Sequence, residues 1–387
     1  MTPAILPRRA ATWAERSSTF AVFLALGIGI GAWAAALPGI KAGLSLSDRD
    51  LSFALLAVSI GSVIATLAAG AWAPRIGTGR ATSVSAVALA VTLSLPPLAQ
   101  NLGQLIGFSV MFGLANGFTD VSVNGHASEV ERRWGRTIMS SFHGAFSLGG
   151  LVGASLGGLL VSAGLTPQGQ LGVSALVAGL LVLGALAGLG SGSRSNAHES
   201  GLTWPVRAAW GLCAISLFCL MVEGAIADWS AVYLVTVVKT TEAAAASGYA
   251  AFSITMTIGR LLGDQVVRFV GARPVVILGG AVAAFGLALG VALPGFLPAT
   301  IGFALVGLGL SNIAPTVFSA AGRFGPTPAA GMAMVVSLGY VGFISGPPLI
   351  GAIASATDLR VAVGFLVAVT LGVVVSGFWM RSAPGHA

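Results

Sequence analysis

QLIGFSVMFGLANGFTDVSVNGH, residues 104–126, is a run of 23 residues with a single acid, Asp120. As a helix rising about 1.5 Å per residue it is about 34 Å long, enough to cross the hydrocarbon core of a bilayer. Its tetrad Gly113-Leu-Ala-Asn116 returns 196 residues later as Gly309-Leu-Ser-Asn312, inside another apolar run. A membrane span with a copy of itself half a chain away points to an integral membrane protein built from a repeat.

Composition agrees. Of 387 residues, 56% are hydrophobic and 8% charged, against the roughly 25% charged that a water-facing surface needs. The 55 glycines suit helices that approach closely in lipid. Cys213 and Cys219 share one apolar stretch, so no disulfide framework is expected. The net charge of +7 is mostly arginine, Lys41 and Lys239 being the two lysines, and it falls in small groups between apolar runs. That is a topology signal, and no nucleic-acid partner is expected.

Twelve runs are long and apolar enough to span: 18–40, 50–72, 81–99, 104–126, 137–163, 170–190, 208–234, 246–267, 274–294, 298–320, 329–351 and 360–380. The polar stretch 191–207 divides them, giving halves 1–190 and 208–387 joined by a linker. With the N-terminus inside, 14 basic residues fall on the cytoplasmic side, against Lys41, Arg49, Lys239 and Arg360 outside, with Arg260 left within a span. Both termini are therefore expected in the cytoplasm and the protein in the plasma (inner) membrane. The first run, with Ala34-Ala35-Ala36, also has the form of a cleavable signal. Its removal would break the twofold pattern, so it is read as a retained span.

Further matches join span n to span n+6. Ala32-Trp33-Ala34-Ala35 faces Asp228-Trp229-Ser230-Ala231, and Ser147-Leu-Gly149 faces Ser337-Leu-Gly339. The turn at Arg75-Ile-Gly77 faces Arg268-Phe-Val-Gly271. The expected fold class is all-α, with 12 transmembrane helices as two pseudo-symmetric six-helix bundles and a solute site between them.

At this point a resemblance can be stated. The chain resembles the major facilitator superfamily over its whole length. Gly70-Ala-Trp-Ala-Pro74-Arg75-Ile-Gly77-Thr-Gly79-Arg80 is similar to the loop 2–3 signature of that superfamily, with Pro74 where an acid is usual. Gly259-Arg260-Leu-Leu-Gly263-Asp264, then Arg268, is its second copy. Asp120-Val-Ser-Val-Asn124, Glu129-Val-Glu131, His143-Gly-Ala-Phe-Ser147 and Glu223-Gly-Ala-Ile-Ala-Asp228-Trp229 resemble the YbjJ-like group, which looks related to fucose-permease-type proton symporters. The resemblance implies alternating access, an acid on the fourth helix four residues before an asparagine (here Asp120 and Asn124), and a gating role for Arg75, Arg260, Asp264 and Arg268. In that type a second acid lies four residues before a proline on the first helix; Ala34 stands there.

Enzymatic chemistry finds little footing. Neither lysine lies in a phosphate-binding loop, since Ile40 and Val238 precede them, and no zinc or calcium pattern occurs. Gly153-Ala-Ser155-Leu-Gly157 spells a nucleophile elbow, with His143 upstream, but runs through a span where a strand-to-helix turn is required. Gly149, Gly153 and Gly157 read as a close-packing face. They also resemble the helix 5 signature of drug antiporters, as does Gly342-x-x-x-Gly346-Pro347.

Charges within a span cost about 2.5–3.5 kcal/mol each on insertion scales, so each needs a reason. Asp120 lies between Asn116 and Asn124, one turn away on either side. Such a carboxyl can be hydrogen-bonded with or without its proton, which suits a proton carrier. Glu223 is the second carrier candidate; Asp228 reads as a helix-end group. Arg260 and Asp264 are expected to pair along their helix as a cytoplasmic gate. Trp33 and Trp229 read as interfacial anchors or as an aromatic platform for solute. His143, Tyr249, Tyr340 and Asn312 complete the expected solute-binding set. Asn312, with Pro315, is expected to break its span and open backbone carbonyls to the cavity.

The reading is a secondary transporter, active as a monomer and needing no cofactor, that takes up a sugar-like or other polar solute with protons. Efflux of sugars or amphipathic drugs by proton antiport is the alternative; a sensor or an intramembrane protease is more remote. Cysteines placed at Ser193 and Thr327 should react with impermeant reagents only from the cytoplasm, and one at Thr357 only from outside. Outside labelling of position 193 would overturn the topology.

Overall fold

The computed structural model describes residues 11–135, 138–190, 192, 209–321 and 328–380; the linker, save position 192, and Thr327 lie outside them. The described residues form α1 (Trp13–Gly43), α2 (Asp48–Ile76), α3 (Thr78–Leu93), α4 (Leu102–Trp134), α5 (Met139–Ser162), α6 (Pro167–Leu189), α7 (Trp210–Thr236), α8 (Glu242–Val270), α9 (Ala272–Ala292), α10 (Phe296–Leu310), α11 (Ile313–Ala321), α12 (Pro328–Ala356) and α13 (Leu359–Trp379). Eleven spans among them are long and apolar enough to cross a membrane, α10 and α11 counting as one. The twelfth expected span, α8, has the length, at 29 residues, but not the apolarity. Its stripe Tyr249, Ser253, Thr257 and Arg260 recurs at helical spacing, while Ile254 and Ile258, about a quarter-turn round, are exposed. Polar inside and apolar outside is the pattern of a helix facing lipid with one side only.

Helix starts follow local chemistry. Thr12 with Glu15 and Ser47 with Asp50 form capping boxes, and the side chains of Asn101, Thr166, Thr241 and Asp358 accept from backbone N–H groups of the first turn. Glu131 does the same for α5 from a distance, accepting from the N–H groups of Ile138 and Met139 at 2.6 Å each. The helices outrun the apolar runs at their ends. α4 continues through Glu129, Glu131 and Arg133, where Arg133 holds Glu15 of α1 at 2.9 Å.

Each half repeats one packing scheme. α1 lies on α5 and α6 as α7 lies on α12 and α13; α2 lies on α4 as α8 lies on α10. Side chains repeat it too: Ser62 of α2 donates to the Gly113 carbonyl at 3.0 Å, and Thr255 of α8 donates to the Ala304 carbonyl at 2.7 Å. Even the unusual backbone repeats. Ser45 (φ 52°) and Lys239 (φ 63°) lie 194 residues apart, as do Gly77 (φ 99°) and Gly271 (φ 90°), which turn α2 into α3 and α8 into α9. Positive φ without steric cost is what glycine supplies at those two turns.

The halves meet where α2 faces α12, α5 faces α8 and α1 faces α7. Contact is tightest at the end bearing the α1–α2 and α7–α8 turns. There a methyl group on Gly351 would strike Ser52 of α2, and one on Gly158 would come within 2.9 Å of Ala246 of α8. Towards the opposite end His143 of α5 is exposed although helices surround it. The exposed tryptophans Trp13, Trp72, Trp210 and Trp379 also sit at that opposite end, at helix termini. They take the interfacial place expected of Trp33 and Trp229, which are buried.

Glycine decides the α1–α5 seam. A Cβ at Gly31 would strike the Gly150 carbonyl, and one at Gly153 the Ile28 carbonyl, whereas Gly107 of α4 has nothing within 4 Å. Gly31→Leu should lower the apparent melting temperature of purified protein by the equivalent of about 1–3 kcal/mol or more. Gly107→Leu should leave it unchanged. Equal melting of both variants would contradict the seam.

Candidate functional site

Two polar bridges cross between the halves inside the helix bundle. The first joins α4 to α12. Asp120 lies 18 residues into α4, about 27 Å along the helix. Asn124, one turn on, donates to its backbone carbonyl at 2.8 Å and to its carboxylate at 3.1 Å. From the other half, the Tyr340 hydroxyl hydrogen-bonds the Asp120 carboxyl. Asn116 stays on the same helix face but leaves its buried Oδ1 without a partner.

The second bridge joins α5, α7 and α8. Arg260 donates to Ser147 of α5 at 3.1 Å and to Glu223 of α7 at 3.2 Å. Ser147 donates in turn to the His143 carbonyl at 3.3 Å. The side chains of Arg260 and Glu223 are 17% and 21% exposed, so the pair is inside the bundle yet reachable from it. Arg260 was expected to pair along its helix with Asp264. It reaches across helices into the polar interior, as a helical side chain leaning towards the N-terminus can. The Asp264 side chain lies outside the described residues.

Tyr249 extends this cluster towards the closed end. Its hydroxyl bonds Ser253 one turn along α8 and lies within electrostatic reach of Glu223, Arg260 and Asp228. Both groups press on Gly150 of α5, where a Cβ would be 3.2 Å from Ser253 Oγ and 3.4 Å from Tyr249 Oη. Asp228, read from sequence as a helix-end group, is eight residues inside the end of α7.

The remaining expected residues fall in three places. Trp33 packs on Phe112 at 5.6 Å and Trp229 is buried with its Nε1 unpartnered, so neither faces open space in this conformation. Asn312 does break its span, at the turn between α10 and α11, but its amide donates to the Gly259 carbonyl of α8 at 3.0 Å instead of lining the cavity. Arg75 and Arg268 are exposed in the last turns of α2 and α8. Ser147, absent from the expected site, carried a usable signal: it belongs to the tripeptide repeated at Ser337-Leu-Gly339. His126 is buried at the inner end of α4 beside Thr78 and Glu129, a structural position.

Comparison with known proteins identifies the family and the fold. The Major Facilitator Superfamily model matches residues 19–336. An uncharacterised MFS-type transporter of Yersinia pestis is 34% identical over 94% of this chain and 94% of its own. Membrane protein MosC of Rhizobium meliloti is 32% identical over 92% of this chain and 86% of its own. Among solved structures, a mutant of the nucleoside transporter NupG superposes with a TM-score of 0.76 at 13% identity, covering 95% of this chain and 100% of that one. A bacterial homologue of the human lysosomal transporter Spinster, inward-facing and unoccupied, gives 0.72 at 14% identity, covering 95% of each. At such identities these structures speak for the fold alone.

An enclosed ion pair resists loss of one partner more than loss of both. Arg260→Gln and Glu223→Gln should each lower apparent stability by about 1–3 kcal/mol, with the double variant less affected than the sum of the two. Strict additivity in the double-mutant cycle would mean the two side chains do not interact.

Proposed function

The chain belongs to the major facilitator superfamily, and on that premise we propose that it carries a small polar organic solute across the plasma (inner) membrane by alternating access, coupled to protons. The observation that carries this reading is the pair of polar bridges, Asp120–Tyr340 and Arg260–Ser147, each made of one group from either half. Groups that meet across a moving seam are made and broken by the motion, so they can bias it. With the arginine-rich loops in the cytoplasm, the tight end at Gly351 and Gly158 is outside, and the conformation is inward-facing. Halves 1–190 and 208–387, joined by 191–207, would rock about the bridges in a monomer. The polar strip Asn116, Asp120, Asn124 suits a polar solute, with His143, Tyr249 and Tyr340 as further contacts; uptake follows from the resemblance to the YbjJ-like group. Arg75 and Arg268, exposed at the inner end here, would close with the inner gate.

Asp120 is the proposed proton carrier. Its carboxyl has Asn124 and Tyr340 as partners that can serve either protonation state, and an unpaired carboxylate cannot cheaply be sealed from water. Glu223, paired with Arg260, is the second carrier candidate. In proteoliposomes with a proton gradient, Asp120→Asn should keep exchange of labelled solute and lose gradient-driven accumulation by about tenfold or more, the effect of some 1.4 kcal/mol of coupling. Accumulation by the variant at the wild-type level would remove Asp120 as carrier.

A further inference from the structure

Arg260 is the one basic residue that the topology leaves within a span, and among the described residues it is only partly used. A guanidinium has five N–H donors in a planar fork. One serves Ser147 and one serves Glu223, through a single oxygen at 3.2 Å, leaving the others without a partner among the described residues. A carboxylate held at one point is a looser counter-ion than the two-point pairing that arginine favours. Its neighbours are also suited to an organic acid: Ser147 and His143 on α5 and Tyr249 on α8 bring hydroxyl and imidazole groups from both halves. Among the described residues, Cys219 of α7 and Asp228 are further titratable groups within reach of the cluster.

We propose that the solute carries a carboxylate, which takes the Arg260 fork in place of Glu223 once Glu223 has received a proton. This rests on the transporter reading and narrows its solute to organic anions. Charge conservation gives the reason. The empty pair, carboxylate and guanidinium, sums to zero; so does the loaded site, with a neutral Glu223 and a solute carboxylate on Arg260. Either half-loaded site carries a net charge, which is costly to seal in a low-dielectric interior. Proton and anion would thus cross together, one of each on this pair, with no net charge moved by the pair itself.

The test uses purified full-length protein and a minimal probe, acetate, with acetamide as its uncharged match. A ligand that binds only the folded state raises the apparent melting temperature by mass action. Glu223→Gln leaves the fork empty, so acetate should stabilise it at concentrations about tenfold lower than wild type requires. Acetate should not stabilise Arg260→Gln, and acetamide should stabilise none of the three. In wild type, which avoids any folding defect of the variants, glucuronate should stabilise more than glucose. Acetate stabilisation that persists in Arg260→Gln, or is no greater in Glu223→Gln than in wild type, would overturn the proposal, as would equal response to glucuronate and glucose. Gradient-driven accumulation of an uncharged solute would refute the anion assignment while leaving the transporter reading intact.

Discussion

An ionised side chain at the middle of a membrane must find its partners inside the protein, and this constraint organises the rest of the molecule. Each polar or charged group there is expensive against hydrocarbon. The chain meets the cost by turning them to the seam between two helix bundles. Arg260 has Glu223 and Ser147; Asp120 has Asn124 and Tyr340. Exposed positions of α8 carry apolar residues such as Ile254 and Ile258. The polar interior and the apolar exterior are therefore two sides of one requirement.

Within each half, close helix packing does the work that the hydrophobic effect does in water. Lipid tails are as apolar as leucine, so association depends on contact between backbones and on hydrogen bonds between helices. Gly27 and Gly31 against Gly149 and Gly153 bring α1 onto α5 so closely that a single methyl group would strike a carbonyl. Such seams behave as rigid units. The contact between halves also uses small residues, Gly158 and Gly351, but mostly at one end, which leaves it able to part. Tight seams inside the halves and a one-ended seam between them are what two bodies in relative motion require.

Much of this was legible in the sequence, for identifiable reasons. Span lengths follow from bilayer thickness, so the runs located the helices, and the repeated tetrad at Gly113 and Gly309 identified the two bundles. Asp120, Glu223 and Arg260 stood out because charge within a span is rare, and Asn124 by its place one turn from Asp120. What the sequence could not supply was the partner of each. Spacing offers Arg260 only Asp264, one turn along its own helix, and nothing local says that Glu223 and Ser147 wait on two other helices. Trp33 and Trp229 lie near helix ends by counting, where aromatic anchors belong; only packing reveals that α1 and α7 are central and carry those rings inside. The weak apolarity of α8 was itself informative, since a span that can afford Arg260 and a stripe of hydroxyls must face protein along one side.

The central claim is that the two halves move about the bridges they share. Double electron–electron resonance tests it with spin labels on exposed outer positions Arg49 of α2 and Ser355 of α12, and on exposed inner positions Ile76 of α2 and Phe269 of α8. With Asp120→Asn standing in for the protonated carrier, the account predicts a second population in which the outer pair is farther apart and the inner pair closer. One unchanged distance for each pair, the same in wild type and variant and across pH, would contradict it.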